Sequence, residues 1–249
     1  MRIPPHSWSG PETLEVVRQL VVRNRFQGDV LVRIVHYLGV GLLFSYRPED
    51  ITTGLFMLAK PADPDPAYHR GVHVATSHWS WLPDTAAPPR VKSGANYQNV
   101  RLAQIQAQVD GYDDAVLLNS LGKVCELPLA NIFIVRGDAL ITPSITSGIL
   151  EGVTRDTILV LASELGIDCE QRDVDRSELD IADEAFATGT GREVWPILSV
   201  DRYPLGDRQV GPVTQRLQEA LHLLMGNQAG HKDWLTPAYA KAGRKSPST

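Results

Sequence analysis

Apolar residues recur along this chain in two rhythms, one helical and one extended. Leu14, Val17, Leu20 and Val21 stand three or four positions apart, behind a Ser9–Glu12 pair that encloses Pro11. That spacing predicts a helix over 11–23, opened by a capping box. Three further helices are expected at 97–110, 156–165 and 212–225, closed by Gly111, Gly166 and Gly226. In the first of these, Val100, Leu102, Ala103, Ile105, Ala107 and Val109 are expected on one broad face. Short β-branched or apolar runs bounded by turn residues predict strands at 30–38, 41–44, 55–58 and 72–77. A second series of strands is expected at 115–118, 124–127, 132–135, 167–172, 184–188 and 194–200. Three prolines between 82 and 89 and no helical period there predict an interdomain linker. The chain thus reads as an α+β (α/β-type) fold in two parts. A small α/β domain spans 1–81, the linker 82–89, a larger domain 90–230, and a polar tail 231–249 that is expected to be partly disordered.

Composition narrows the function classes. With 249 residues and 43% hydrophobic content, the chain can bury a substantial core. A net charge of −5 argues against nucleic acid or an anionic membrane surface as the main partner. No apolar run is long enough for a membrane span, and the N-terminus lacks the apolar stretch of a signal peptide. Cys125 and Cys169 have neither metal-type nor redox-type spacing, so no metal site is expected. They read as reduced packing residues of a cytoplasmic protein.

Four stretches could carry chemistry. Of six lysines, only Lys92, in PRVKSGANY, has apolar sequence on both sides. It is therefore the one expected to be desolvated, as a Schiff-base lysine would be. Glu126 ends an apolar strand in KVCELP and, if buried, needs a cationic or proton-donating partner such as a pyridine nitrogen. In LEGVTRD, Gly152 lets the backbone turn closely, and Thr154 is expected to cap a helix whose first amides could hold a phosphate. In ATGTGR, two hydroxyls and two glycines after a strand could form a second anion cradle. Each stretch also has an ordinary reading: a lysine at a strand end, a solvated loop acid, a plain helix cap, a flexible turn. Together they suggest pyridoxal phosphate. Neither glycine-rich stretch fits the phosphate loop or the dinucleotide fingerprint of nucleotide binders.

The segments VKSGANY, GKVCELPLANIF, ITPSITSGILEGVTRD, ELDIADEAFATGT and EVWPILSVD follow one another in a recognisable order. In this the chain resembles the branched-chain amino acid aminotransferases and the wider fold-type IV pyridoxal-phosphate enzymes. The resemblance implies a small N-terminal α/β domain, a larger pseudo-barrel cofactor domain, a homodimer, and pyridoxal 5'-phosphate as cofactor. It implies that Lys92 joins the cofactor and shuttles the α-carbon proton, that Tyr97 bonds the ring hydroxyl, and that Glu126 faces the pyridine nitrogen. Val153, Thr154 and Thr190 would hold the phosphate. Gly191, Arg33 and Trp79 would serve the substrate, an amino acid exchanging its amino group with a 2-oxo acid. Tyr97 after Asn96 favours the branched-chain group over the D-amino acid group, and the reaction so implied moves an amino group from a branched-chain L-amino acid to 2-oxoglutarate. The same resemblance also covers D-amino acid and amine transaminases, aminodeoxychorismate lyase, and a catalytically silent homologue.

Three departures stand out. Family members carry a strand-rich segment before the first helix, including an arginine that anchors the phosphate, and Met1–Gly10 does not match it. Leu127 and Pro128 replace a glycine-rich turn after the acid. Arg192 replaces a small residue, where it could meet the phosphate, a substrate carboxylate or solvent.

Overall fold

The computed structural model describes residues 8–26, 28–41, 45, 47–63, 65–228 and 230–237. It divides into two compact units, 1–64 with 233–249, and 65–232. The smaller unit holds α1 (Gly10–Asn24), β1 (Val30–Gly41) and β2 (Ile51–Pro61), the two strands pairing antiparallel. The expected Ser9–Glu12 capping box opens α1. Most of the strand expected at 41–44, and the tail beyond residue 237, fall outside the described residues.

The larger unit runs α2 (Ala67–Arg70), β3 (Val72–Thr76), α3 (Tyr97–Val109), β4 (Asp114–Val116), β5 (Glu126–Leu127), β6 (Ala130–Arg136), β7 (Ala139–Pro143) and α4 (Val153–Glu164). It continues with β8 (Asp168–Arg172), β9 (Glu184–Gly189), β10 (Glu193–Val200), β11 (Tyr203–Pro204) and α5 (Pro212–Met225). One mixed sheet takes these strands in the order β4-β3-β10-β9-β6-β7-β8, with β5 on β6 and β11 on β10. The unit boundary falls before residue 65. The reason is that β3 pairs in parallel with β10 and β4, which lie far downstream.

Alternation along the central strands sorts the core into two faces. Ile132 and Ile134 of β6, Ala185 and Ala187 of β9, and Trp195 and Ile197 of β10 share one cluster. Their neighbours Phe133, Val135, Phe186 and Val194 share another, covered by Ile158 and Leu161 of α4 and Leu217 and Leu221 of α5. Phe133 and Phe186 stand opposite each other in the ladder and stack with centroids 5.0 Å apart. On α3 only Val100, Ala103 and Ala107 are buried. Ile105 and Val109 are exposed, because they sit half a turn away from that stripe. Cys125 is buried as expected, whereas Cys169 lies exposed on β8.

Candidate active site

Three strands bring the central polar groups together. Glu126 on β5 stands opposite Asn131 on β6, and Asn131 stands opposite Thr188 on β9. Asn131 Nδ2 donates to Glu126 Oε2 at 2.7 Å and to the Leu150 carbonyl at 3.0 Å. The Leu150 amide donates to both carboxyl oxygens of Glu126, at 3.3 and 3.2 Å. Glu126 is only 4% exposed, and among the described residues no cation forms an ion pair with it. Burial pushes its carboxyl up to about 8, against the opposing pull of the Leu150 amide and of the Lys92 and Arg155 charges. Pro128 and Leu129 close the β5–β6 hairpin without a positive φ, so this turn does not require glycine.

The chain from Leu150 leads into α4. Its N-cap is Gly152, not Thr154, and no side chain caps the helix. A Cβ at Gly152 would collide with Asn131 Oδ1, so any other residue here must displace the Asn131 side chain. Val153, 81% exposed, and the half-buried Thr154 therefore open α4, where free amides and the positive end of the helix dipole favour an anion. Arg155, in the same turn, is fully buried. Its guanidinium donates to Gln171 Oε1 at 2.9 Å and to the Pro143 carbonyl at 3.1 Å.

Lys92 comes from another segment. Arg90 pairs with Glu151 at 3.3 Å, fastening the 90–92 stretch beside the start of α4. Asn96 Nδ2, donating to the Pro88 and Val91 carbonyls at 2.7 and 3.0 Å, folds the stretch back on itself. Lys92 is close enough for its charge to act on Glu126. It is nonetheless exposed rather than desolvated, because its apolar neighbour Val91 is itself 37% exposed and gives it no cover. Tyr97, the first residue of α3, packs half-buried against the cluster that contains Trp81, Cys125 and Ile149.

Thr190 and Gly191 are exposed in the turn between β9 and β10. The turn crosses close to the β5–β6 hairpin: a Cβ at Gly189 would come within 2.9 Å of the Leu129 carbonyl. Of the three placements expected for Arg192, solvent is not the one it takes. It lies over the Trp195 ring at 3.8 Å, with Asp114 at 3.2 Å and Asp65 at 3.6 Å. Trp79 is 41% exposed on the loop after β3, its amide bonded to Ser77 Oγ. Arg33 belongs to the smaller unit, exposed on β1 opposite Leu58. A separate cleft of about 340 Å³, lined by Ser77, His78, Tyr112, Asp201 and Arg202 among others, contains none of the candidate residues.

Sequence reasoning missed Asn131, Asn96 and Arg155. A polar Asn131 inside the apolar run of β6 was the one available signal; the other two carry none.

Residues 3–200 match the family model of class IV amino-transferases. The chain belongs to that family. It is 35% identical over 239 residues to the branched-chain-amino-acid aminotransferase of Pseudomonas aeruginosa, covering 95% of this chain and 76% of that one. It has the fold of the PLP-form crystal structure of branched-chain amino acid aminotransferase from Thermobaculum terrenum. There the TM-score is 0.89 at 38% identity, over 96% of this chain and 78% of the other. A T.th. branched-chain amino acid aminotransferase complexed with N-(5'-phosphopyridoxyl)-L-glutamate superposes with a TM-score of 0.85 at 30% identity, over 95% and 77% of the two chains. This transaminase thus spans about three quarters of the length of its relatives.

Proposed function

We propose that this transaminase holds pyridoxal 5'-phosphate on Lys92 and, as a homodimer, moves an amino group from a branched-chain L-amino acid to 2-oxoglutarate. The observation that carries the reading is Glu126, a buried carboxyl held by neutral donors and without an ion-pair partner among the described residues. A protonated ring nitrogen facing it would supply that partner and offset the burial of its charge. The uncapped start of α4 suits a phosphate, with Gly152 at its N-cap packed against the Asn131 side chain. When bound, the cofactor supplies a conjugated ring that takes up the negative charge left on the substrate α-carbon.

The chain's own residues do the rest in this reading. The Lys92 amine holds the cofactor aldehyde and carries the proton to and from the substrate α-carbon. Glu126 keeps the ring nitrogen protonated, with Asn131 and the Leu150 amide fixing its orientation. The Val153 amide, the Thr154 hydroxyl and Thr190 hold the phosphate, and Tyr97 bonds the ring hydroxyl. The Gly191 amide meets the substrate carboxylate, with Trp79 shaping the substrate side. Branched-chain donors are supported by the names of the relatives. Glutamate as the product amino acid is supported by the phosphopyridoxyl-glutamate in complex with the T.th. enzyme.

A panel of L- and D-amino donors with 2-oxoglutarate, scored by glutamate formation, tests the reading. Turnover of L-leucine, L-isoleucine and L-valine within a narrow range is expected, since an apolar pocket separates them weakly. Turnover of D-alanine or an aryl amine alone would overturn it.

A further inference from the structure

The turn between β9 and β10 is strained and sparsely tied. Glu193 takes φ 54°, a left-handed conformation unfavourable for a side-chain-bearing residue. Within the turn, the Arg192 amide donates to the Gly189 carbonyl at 3.0 Å, and the Thr188 hydroxyl to the Glu193 carbonyl at 2.5 Å. Thr190 and Gly191 are exposed, and a Cβ at Gly191 would touch nothing. The strongest tether to the rest of the unit is the Arg192 side chain. Its guanidinium lies on the Trp195 face at 3.8 Å, 3.2 Å from Asp114 Oδ2 on β4 and 3.6 Å from Asp65. Asp114 is 1% exposed, and its other oxygen accepts from the Ala115 amide at 2.9 Å.

We propose that Arg192 is a positioning residue: gripped by Asp114 and the Trp195 ring, it fixes the turn that presents Thr190 and Gly191, and it is not itself a ligand of the anion. This rests on the reading above, in which that turn serves the cofactor phosphate and the substrate carboxylate. An arginine beside an anion cradle is ordinarily taken as a ligand, and the two roles predict opposite signs for one substitution. If Arg192 were a ligand, releasing it from Asp114 would tighten anion binding. As a clamp, releasing it loosens the turn and weakens binding.

The test uses the full chain carrying R192M, R192K, D114N and the R192M/D114N pair. R192M keeps an unbranched apolar stem and removes the guanidinium, with both its charge and its contact on Trp195. D114N keeps the shape and removes the partner's charge. Pyridoxal phosphate dissociation constants are expected to rise about tenfold in R192M and in D114N, as for loss of one half-buried charge pair, with no further rise in the double variant. R192K, which retains the ion pair, should fall between wild type and R192M. In cofactor-free protein, hydrogen exchange at the residue 192 amide, which donates to the Gly189 carbonyl, should quicken about tenfold in R192M and D114N while the β6 and β9 amides stay protected. Tighter cofactor binding by D114N, or unchanged exchange at the residue 192 amide in both single variants, would overturn the proposal. Should wild type take up no pyridoxal phosphate, the proposed function falls, and the exchange result still decides the clamp.

Discussion

Replacing Glu126 by glutamine isolates the group on which the site reading rests. The folded protein raises this carboxyl from 4.5 to about 8 through burial. A raised acid favours the folded state below its unfolded value, and that advantage is lost as pH climbs through the folded one. At ~1.4 kcal/mol per unit, ionising Glu126 costs the cofactor-free fold about 5 kcal/mol once pH exceeds about 8. Glutamine has no charge to bury, and its oxygen, placed where Oε2 sits, still accepts from Asn131 and the Leu150 amide. Urea unfolding of both proteins without cofactor, from about pH 6 to pH 9, should therefore show the variant gaining on wild type by about 3 kcal/mol. Saturating pyridoxal phosphate should shrink that gain, because a ring N–H⁺ then compensates the wild-type carboxylate. Parallel pH curves for the two cofactor-free proteins would refute the reasoning, since they would mean that Glu126 ionises without penalty.

Other substitutions follow from the same geometry. Gly152→Ala drives a methyl against Asn131 Oδ1 and should cost about 1–3 kcal/mol while weakening cofactor binding; an unchanged urea midpoint contradicts the close approach. Gly211→Ala presses on the Glu184 carboxylate, which accepts from the Val213 and Thr214 amides at 3.0 and 2.8 Å and caps α5. A loss of about 1–2 kcal/mol in urea unfolding is expected, without change in cofactor affinity.

Local signals carried the sequence reading where structure is local. The Ser9–Glu12 box and the run from Pro212 to Gly226 state their helices outright, and both are present. Contacts across long separations were not legible. Nothing in Val72–Thr76 says that it pairs beside Ile197 and Ser199. β7 escaped notice because Thr142 and Pro143 interrupt a short run, and α4 begins three residues before its expected start because glycine, not a hydroxyl, caps it. At the site, Lys92 and Glu126 were found by their sequence neighbours, but neighbours do not decide burial. Glu126 is enclosed by Asn131 and Leu150 from other segments, whereas nothing comparable covers Lys92.

The claim beneath the functional reading is that the Lys92 amine carries the cofactor. Incubating the protein with pyridoxal phosphate, reducing with borohydride and mapping the peptides by mass spectrometry tests it directly. A pyridoxyl group on Lys92, absent from the Lys92→Ala protein, is the expected result. Labelling at another lysine, or no label under conditions that keep the protein folded, would contradict it.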